Sequence, residues 1–530
     1  MTAIIEPAPP ESSSARGGGE HKGLKGGAIG LLSNTVIAIA SVAPAYSLAA
    51  ALGFVVGYVG LQSPIVMLLA FVPMMFVAVG YSQLNRVVPD CGTTFTWGTK
   101  AFGPTVGWMG GWGIIAADVI VMANLAQIAG QYMFQLFGAY GLAGDKWWTL
   151  LAGVIWIVAM TWICYIGIEI SARIQYGLLA VELTMLLVLS FTALGKVYGG
   201  SAGRQAIHPA WSWFDPFHAS FSSLTLGLLT AIFIYWGWDT AVSINEETKD
   251  RHKTPGRAAV ISTVVLLVTY VLVTTSAQAF AGVGSKGIGL NNSDNSGDVL
   301  SVLGGSVFGT SGFGWFLAKL LVLMVLSSAA ASTLTTILPT ARTTLSMSVY
   351  KSIPARFSRV HGRYLTPTWS TVGMGLLSIA FYVVMTVISK SVLGDTISSL
   401  GLMIAFYYGL TGFTCAWWFR KEALRSTGGF LAKFLLPLLG GLMLFAFMVY
   451  GMQQFWAPSY GATSWTLPFS PHWHIGGVFL TGVGAILLGL ILMVVYRFVN
   501  PPFFKGQTLT RDTPVLVPEP DAQDIALTHF

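Results

Sequence analysis

The chain has 530 residues, of which 54% are hydrophobic and only 9% are charged, with a net charge of +7. Soluble domains carry roughly 25% charged residues, so this composition excludes an ordinary soluble enzyme. No Asp, Glu, Lys or Arg occurs in residues 26–85 or 434–496, and about 20 apolar residues are enough for one membrane-spanning helix. The sequence therefore predicts an all-α polytopic membrane protein.

Twelve apolar segments are placed as membrane spans by their length and by the charges that separate them. They begin near Gly27, Ser63, Gly107, Trp147, Ile174, Ser220, Gly256, Phe313, Thr368, Thr396, Phe430 and Ile475. The loops alternate between two sides, and 22 of the 28 Lys and Arg residues fall on one side, against 6 on the other. Because basic residues concentrate in cytoplasmic loops, we expect a multi-pass protein of the cell membrane with both termini in the cytoplasm. The net positive charge then reflects topology, and no nucleic-acid partner is expected.

The spans divide the chain into four regions. Residues 1–26 are predicted to be a disordered cytoplasmic tail, 27–419 hold the first ten spans, 430–499 the last two, and 500–530 form a second cytoplasmic tail. The three cysteines are odd in number and the eight histidines fall in predicted loops or tails, so no disulfide framework, metal site or cofactor is expected. The sequence also lacks the phosphate-binding, zinc-protease and GxSxG motifs, and an enzyme is not expected.

The first span has a proline in its middle, among small residues (AIASVAPAYS, residues 38–47). Pro44 removes one helical hydrogen bond and clashes with the preceding turn, which frees backbone groups near Ser41 and beyond the proline. Freed backbone groups persist at membrane depth only where a cavity or neighbouring protein satisfies them. A simple proline kink is the alternative interpretation, and this span by itself favours it.

The sixth span has a glycine between two tryptophans, followed at once by an acid: Trp236, Gly237, Trp238 and Asp239. Glycine weakens a helix by about 1 kcal/mol relative to alanine, and an acid facing lipid costs about 3 kcal/mol. Aromatic side chains beside a break suit a cavity for a small cationic or amphipathic ligand. An interfacial aromatic belt would explain Trp238 but would leave the glycine and the acid without a role. Breaks at corresponding positions of two halves point to the binding site of a transporter.

Three ordered segments resemble those of the amino acid-polyamine-organocation transporters. They are residues 88–97 (VPDCGTTFTW), residues 236–239 (WGWD) with 246–249 (EETK), and Ser327-Ser328 with Arg342. This resemblance implies a LeuT-like fold of two inverted five-helix repeats, over residues 27–198 and 220–419, plus two C-terminal helices. It also implies that the substrate is held between the broken first and sixth spans.

Candidate substrate-binding residues surround the two breaks and include one acid of the third span. They are Ser41, Ala43, Pro44, Ala45, Tyr46, Asp118, Phe233, Tyr235, Trp236 and Gly237. Many family members supply backbone N–H groups to a substrate carboxylate here, but Pro44 has no N–H. The helix end still keeps its positive dipole for an amino acid. Asp118 lies mid-span, and we expect it to meet a cationic group of the substrate; an ion pair with another side chain is the alternative.

Glu182 lies in the fifth span, nine residues after Arg173 and about 13 Å into the membrane at 1.5 Å per residue. Such depth makes an acid a functional candidate, either as a proton carrier in each transport cycle or as a cation ligand together with Ser327 and Ser328. A structural, hydrogen-bonded acid is the third interpretation. Several proton-coupled family members have a lysine at the position of Glu182, so lysine-based coupling is not available here.

Three further residues, Asp239, Arg86 and Arg342, are expected to act in a gate on the cytoplasmic side. Taken together, the patterns predict a secondary transporter that imports an amino acid or organic amine by alternating access, with proton-coupled symport as the first hypothesis. Substrate exchange, sodium-coupled symport, a channel and a transport-like receptor are the alternatives. The expected partners are the small-molecule substrate, a proton or sodium ion, and membrane lipid; the oligomeric state is left open.

Overall fold

The computed structural model describes residues 22–389 and 391–516, with the backbone alone for residues 169–171 and 393. The first half contains the helices α1 Leu31–Val42, α2 Pro44–Val59, α3 Ser63–Val87, α4 Thr94–Phe102, α5 Pro104–Leu136, α6 Tyr140–Gly144, α7 Lys146–Ile166 and α8 Ile168–Tyr198. The second half contains α9 Phe221–Ile234, α10 Thr240–Ser243, α11 Thr254–Ala281, α12 Val299–Phe308, α13 Gly312–Val349, α14 Thr368–Ile388 and α15 Val392–Phe419.

The C-terminal part adds two long helices and a small hairpin. Its elements are α16 Thr427–Phe430, a π-helical turn Leu431–Leu435, α17 Leu436–Phe455, the antiparallel strands β1 Ser464–Thr466 and β2 His474–Gly476, α18 Gly477–Val499 and α19 Pro501–Phe504. Short 3-10 turns lie at Gly60–Gln62, Trp211–Phe214, Pro216–His218, Asn245–Glu247, Ala355–Ser358 and Ala423–Arg425.

Ten segments of the described chain are long and apolar enough to cross a membrane. One of them, Leu31–Val87, comprises α1, α2 and α3, and the sixth predicted span begins with the shorter helix α9. Large apolar side chains such as Ile155 on α7, Val384 on α14 and Ile491 on α18 are more than half exposed, as expected for a surface that contacts lipid. The chain is thus a multi-pass helical membrane protein, as predicted, while the count of twelve spans stays a prediction.

The two broken spans pack against each other and against longer helices. α1 packs against α8, α11 and α13, and α2 packs against α9. α5 and α13 pack against each other, and the apolar stretches of both are almost wholly buried. The core of the bundle therefore lies around the breaks.

Close packing between α4 and α5 depends on Gly107. A Cβ atom at this position would lie 1.9 Å from Thr99 Oγ1 and 2.4 Å from Thr99 N. Any larger residue would force the two helices apart, and small residues at such contacts are typical of helix packing in membranes. This contact holds α4, and with it the end of the segment 88–97, against the bundle.

Both described ends of the chain pack on the same face of the bundle, which we call the terminal face. Lys22 lies beside Asp90, and the Lys100 ammonium donates to two backbone carbonyls of the segment that follows α19. Lys22 falls in the segment predicted as a disordered tail, yet it is only 6% exposed. The ion pair with Asp90 accounts for this burial, and the tail as a whole stays a prediction. Residues 1–21 and 517–530 of the two predicted tails lie outside the described residues.

Candidate functional site

The first break consists of a single residue between two helices. α1 ends at Val42 and α2 begins at Pro44, while Ala43 between them has a φ of 52° and a ψ of 69°. This left-handed conformation costs an L-residue roughly 1–2 kcal/mol. Pro44 occupies the first position of α2. At this position a backbone N–H would have no partner within the helix, so its absence in proline costs no helical hydrogen bond. The break thus lies at the proline that the sequence indicated.

Glu182 of α8 caps the N-terminus of α2. Ala45 N donates to Glu182 Oε1 at 2.7 Å, and Tyr46 N donates to Ser328 Oγ at 3.1 Å. The Ser328 hydroxyl in turn donates to Glu182 Oε1 at 2.6 Å. One carboxyl oxygen therefore ties α2 to both α8 and α13. A negative charge at a helix N-terminus is also favoured by the helix dipole.

The second oxygen of this carboxyl group lacks a partner. Glu182 is fully buried, and its Oε2 atom has no hydrogen-bond partner among the described residues. Ser327, which the sequence placed in the same set, donates instead to the backbone carbonyl of Met324 at 2.8 Å. Leaving a buried charged acceptor unsatisfied is costly, so a proton or a cation at this oxygen would be stabilising.

The sixth break lies directly against the first. α9 ends at Ile234 and α10 begins at Thr240, and Gly237 between them has a φ of 119°. A Cβ atom on Gly237 would lie 3.0 Å from the backbone carbon and oxygen of Ser41 and 3.1 Å from Val42 N. Glycine is therefore required both by the backbone angle and by the approach of the first break.

Side chains of the two breaks also contact each other. Ser41 Oγ and Thr240 Oγ1 are 2.8 Å apart, and the Ser41 carbonyl accepts a hydrogen bond from Ser332 Oγ at 2.9 Å. The rings of Tyr46 and Phe233 meet edge to face, with centroids 6.1 Å apart. The structure thus brings these candidate residues of both breaks to one place.

Asp239 is fixed by two tyrosines of α15. Tyr408 donates to Asp239 Oδ1 at 2.8 Å and Tyr407 donates to Oδ2 at 3.1 Å. Trp236, a candidate for substrate binding, donates through Nε1 to the Tyr407 hydroxyl. Tyr235 lies elsewhere, because its hydroxyl donates to the Met67 carbonyl of α3 at 3.0 Å. The acid that sequence analysis assigned to gating is therefore tied to α15.

Tyr408→Phe is expected to destabilise the protein more than Tyr235→Phe. Both changes remove one buried hydroxyl, but the first leaves a buried acid short of a donor. A hydrogen bond to a charged group contributes about 1.5–3 kcal/mol, against about 0.5–1.5 kcal/mol for a neutral one. Thermal unfolding of the purified variants in detergent measures the difference, and an equal loss in both would contradict this account of Asp239.

Asp118 lies on α5 and meets α13. Thr340 Oγ1 donates to Asp118 Oδ2 at 2.5 Å, and Asp118 is only 2% exposed. None of the ion pairs formed by the described residues includes Asp118. Lys319, a lysine on α13, donates instead to the Gln135 carbonyl at 2.8 Å. Asp118 is thus a buried acid without a basic partner in the described part of the chain.

A second polar cluster lies at the terminal face, and we call it the Lys22 cluster. Lys22 Nζ lies 2.7 Å from Asp90 Oδ2 and 2.6 Å from Glu246 Oε1. Cys91 N donates to Glu246 Oε1 at 2.9 Å, and the Tyr350 hydroxyl donates to Asp90 Oδ2 at 2.9 Å. All five residues are buried.

The charges of the Lys22 cluster stabilise one another. Burial would raise the pKa of Asp90, but the Lys22 ammonium and a hydrogen bond from Thr96 lower that pKa to about 2. Burial by itself would lower the pKa of Lys22. The nearby acids, of which Asp90 has the largest effect, nevertheless raise the lysine pKa well above its ordinary value. At Glu246 burial outweighs the lysine, and the pKa is raised. The pair of Lys22 and Asp90 is therefore charged at neutral pH.

Three residues of this cluster have the spacing of metal ligands. The ligand atoms of Asp90, Cys91 and Glu246 all lie within 4.8 Å of one another. The ammonium of Lys22, however, already contacts both carboxylates. We therefore interpret the cluster as a network of ion pairs.

Of the two arginines predicted to gate, Arg342 joins a neighbouring pair. Its Nε lies 2.9 Å from Glu247 Oε2, and a second guanidinium nitrogen donates to Oε1 at 3.0 Å. Arg86 is exposed on the same face, and its carbonyl lies 2.9 Å from His252 Nδ1. Lys22, Asp90 and Glu246 were not predicted to form a cluster. The acids of segments 88–97 and 246–249 indicated that a basic partner was needed. Lys22 was not considered as that partner because it lies in the segment predicted to be a disordered tail.

The sequence is similar to permeases. Residues 29–499 match the family model described as amino acid permease. The chain is 21% identical over 400 residues to the low-affinity putrescine importer PlaP of Escherichia coli K12, covering 75% of this chain and 82% of PlaP. It is 26% identical over 222 residues to the branched-chain amino acid permease BcaP of Lactococcus lactis, covering 39% of this chain and 46% of BcaP. The match thus spans less than half the length of BcaP.

A third relative and a solved structure extend the comparison. The vacuolar cationic amino acid transporter 4 of Arabidopsis thaliana is 24% identical over 347 residues, covering 62% of this chain and 52% of the transporter. The structure is similar to the crystal structure of MhsT in complex with L-phenylalanine, with a TM-score of 0.54 and 14% identity. That match covers 79% of this chain and 98% of MhsT. At this identity the likeness shows the fold, which is the predicted LeuT-like one.

Proposed function

The chain belongs to the amino acid permease family, and we propose on this premise that it imports an organic amine or amino acid by alternating access. The family places it among transporters rather than enzymes, as the sequence predicted. The observation that carries the proposal is the contact between the two broken spans, with Glu182 bound to the end of α2. Two broken helices that meet at mid-depth are typical of a transporter's substrate site.

The charges around the breaks support a cationic substrate. Glu182 lies at the first break, Asp239 lies in the sixth, and Asp118 lies beside Thr340 of α13. All three acids are buried, and none of them pairs with a Lys, Arg or His among the described residues. α1 and α9 both end at the breaks, so the negative ends of two helix dipoles point to the same region, where Glu182 already occupies the positive end of α2. An ammonium group on the substrate would neutralise this excess of negative charge.

The backbone donors of α2 support an amine over an amino acid. Pro44 has no N–H, the N–H groups of Ala45 and Tyr46 are bound to side chains, and Ser47 N donates to the Ala43 carbonyl at 2.8 Å. The first turn of α2 therefore has no free N–H for a substrate carboxylate. PlaP, by its name a putrescine importer, fits this substrate class. An amino acid is the second candidate, supported by the names of the family and of BcaP.

We assign the coupling proton to Glu182. A proton on Oε2 would remove the buried charge from the oxygen that has no partner, and it would weaken both hydrogen bonds that Oε1 accepts, since a neutral acid is a poorer acceptor than a carboxylate. Binding of the proton would then loosen α2 from α8 and α13. Two alternatives to proton coupling are open. One is a sodium ion bound by Glu182, Ser327 and Ser328, and the other is substrate exchange without a coupling ion.

The orientation follows from the distribution of basic residues. We propose that the terminal face is cytoplasmic, because the side to which the sequence assigns both termini has 22 of the 28 Lys and Arg residues and such residues concentrate inside. The cell membrane is the proposed location. Asp239, Arg86 and Arg342 are the proposed gating residues on this side.

Uptake into proteoliposomes tests the proposed function. Labelled putrescine, lysine and leucine are offered separately, with and without an inward proton gradient. Saturable accumulation against the substrate gradient, abolished by an uncoupler, is the expected result. Flux that is only downhill would favour a channel, and binding without counterflow exchange would favour a receptor.

Asp118→Asn is expected to weaken uptake of putrescine and lysine at least about tenfold, a loss of about 1.4 kcal/mol in binding, while leucine changes less. The amide keeps an oxygen for the Thr340 hydroxyl but loses the charge that would meet an ammonium group. Competition by unlabelled substrates gives the affinities. Thr340→Val, which removes the hydrogen bond and keeps the acid, is the matched control. Unchanged selectivity in Asp118→Asn would refute the role of this acid.

A further inference from the structure

The N-terminal segment runs beside the exit of the sixth span. Ile29 N donates to the Glu247 carbonyl at 3.0 Å, and Lys249 N donates to the Ile29 carbonyl at 2.8 Å. Ahead of this bridge, the side chain of Lys22 is fully buried in the Lys22 cluster. The start of the described chain is therefore bound to the segment that follows α10.

Lys22 joins elements that would otherwise present like charges to each other. Asp90 belongs to the loop between α3 and α4, and Glu246 belongs to the 3-10 turn after α10. The ammonium of Lys22 lies between them. Asp90 also accepts hydrogen bonds from Ser346 Oγ at 2.8 Å and from Tyr350 at the end of α13. Three parts of the bundle thus converge on one lysine.

Withdrawal of this lysine would leave two buried acids without a cation. Glu246 Oε2 has no hydrogen-bond partner among the described residues even with Lys22 in place. Removing one partner of a buried ion pair is strongly unfavourable. Water that reaches the two acids would solvate them and reduce this cost. Glu247 keeps its own partner, Arg342, so the effect is confined to the Lys22 cluster.

We propose that Lys22 is a gating residue: bound between Asp90 and Glu246, it holds the terminal face closed, and its withdrawal opens that face. This inference rests on the proposed alternating access, which requires the face to open. The pair of Arg342 and Glu247 is the second, adjacent contact of the gate. The N-terminal segment from Lys22 to Ile29 then takes part in the opening and closing of the terminal face.

Cys91 is a reporter inside the cluster. Its Sγ lies 3.8 Å from Lys22 Nζ, and the residue is fully buried. The chain has three cysteines, so replacing Cys164 and Cys415 by serine leaves Cys91 alone. The rate at which a maleimide labels Cys91 in the purified full chain then reports opening without any transport assay. A failure here is therefore distinguishable from a failure of the proposed function.

Lys22→Gln is expected to increase the labelling rate of Cys91 roughly tenfold or more, as the open state gains population. Lys22→Arg keeps the charge and is expected to label close to the parent rate. Adding Glu246→Gln to Lys22→Gln is expected to slow labelling again, because one of the two unpaired acids is gone. Lys249→Gln, which changes an exposed lysine of the same region, is the control and should label like the parent.

Two results would overturn the proposal. One is a Lys22→Gln protein that labels no faster than the parent. The other is equally fast labelling of Lys22→Gln with and without Glu246→Gln, which would indicate lost packing rather than unpaired charge. If Lys22→Gln does not fold, Glu246→Gln alone is tested. It is expected to raise the labelling rate of Cys91 about threefold, because one ionic contact of Lys22 is lost. An unchanged labelling rate would refute the gate.

Discussion

Glu182→Gln is expected to abolish uptake driven by a proton gradient while substrate affinity changes by less than about threefold, or about 0.7 kcal/mol. The Gln oxygen can still accept hydrogen bonds from Ala45 N and Ser328 Oγ, so the cap of α2 is kept. The amide cannot bind and release a proton, so the link between the proton gradient and α2 is lost. Accumulation in proteoliposomes with and without a pH gradient measures the first effect, and ligand-induced thermal stabilisation measures the second.

Two serine variants distinguish proton coupling from sodium coupling. Ser328→Ala removes a hydroxyl that contacts Glu182 and is expected to reduce pH-driven uptake. Ser327→Ala removes the adjacent hydroxyl, which donates to the Met324 carbonyl, and should leave that uptake unchanged. Accumulation that follows a sodium gradient and falls in both serine variants would favour the sodium alternative. Retained pH-driven accumulation in Glu182→Gln would remove Glu182 from the coupling role.

The broken helices could be predicted because their cause is local. Pro44 cannot continue a helix, and Gly237 beside an acid signals irregular backbone within an apolar span. Glu182 could be placed in one set with Ser327 and Ser328 as candidate cation ligands, because the two serines lie in a segment that resembles the family's eighth span. The contact of Glu182 and Ser328 in the structure with the N–H groups of α2 depends on how three helices pack, which no local pattern encodes.

The contacts that sequence analysis did not predict join residues far apart in the chain. Lys22 lies in a Gly-rich stretch, where a lysine is normally solvated, and its burial depends on acids contributed by two distant loops. Tyr408 could have faced the cavity or packed elsewhere, and only the geometry identifies Asp239 as its partner. Tyr235, next to Trp236, donates to α3 instead, and no local pattern distinguishes the partners of these two adjacent residues.

Gly237→Ala is expected to destabilise the protein and to abolish transport. At a φ of 119° a residue with a side chain is strained by about 1–3 kcal/mol. The new Cβ would also lie 3.0 Å from the Ser41 carbonyl group, and this neighbour is backbone that moves only if α1 moves. Because α1 and α2 are held at the first break by Ser332, Glu182 and Ser328, relief of the clash would separate the two breaks.

The same change at a helical glycine with open space isolates this effect. A Cβ atom on Gly177 of α8 would have no neighbouring atom within 4 Å, and the φ of Gly177 is not positive, so Gly177→Ala is expected to be neutral or stabilising by up to about 1 kcal/mol. Melting temperatures and putrescine uptake of both variants are compared with the wild type. A Gly237→Ala protein that melts and transports like Gly177→Ala would mean that the two breaks need not touch. The substrate site would then have to be sought away from this contact.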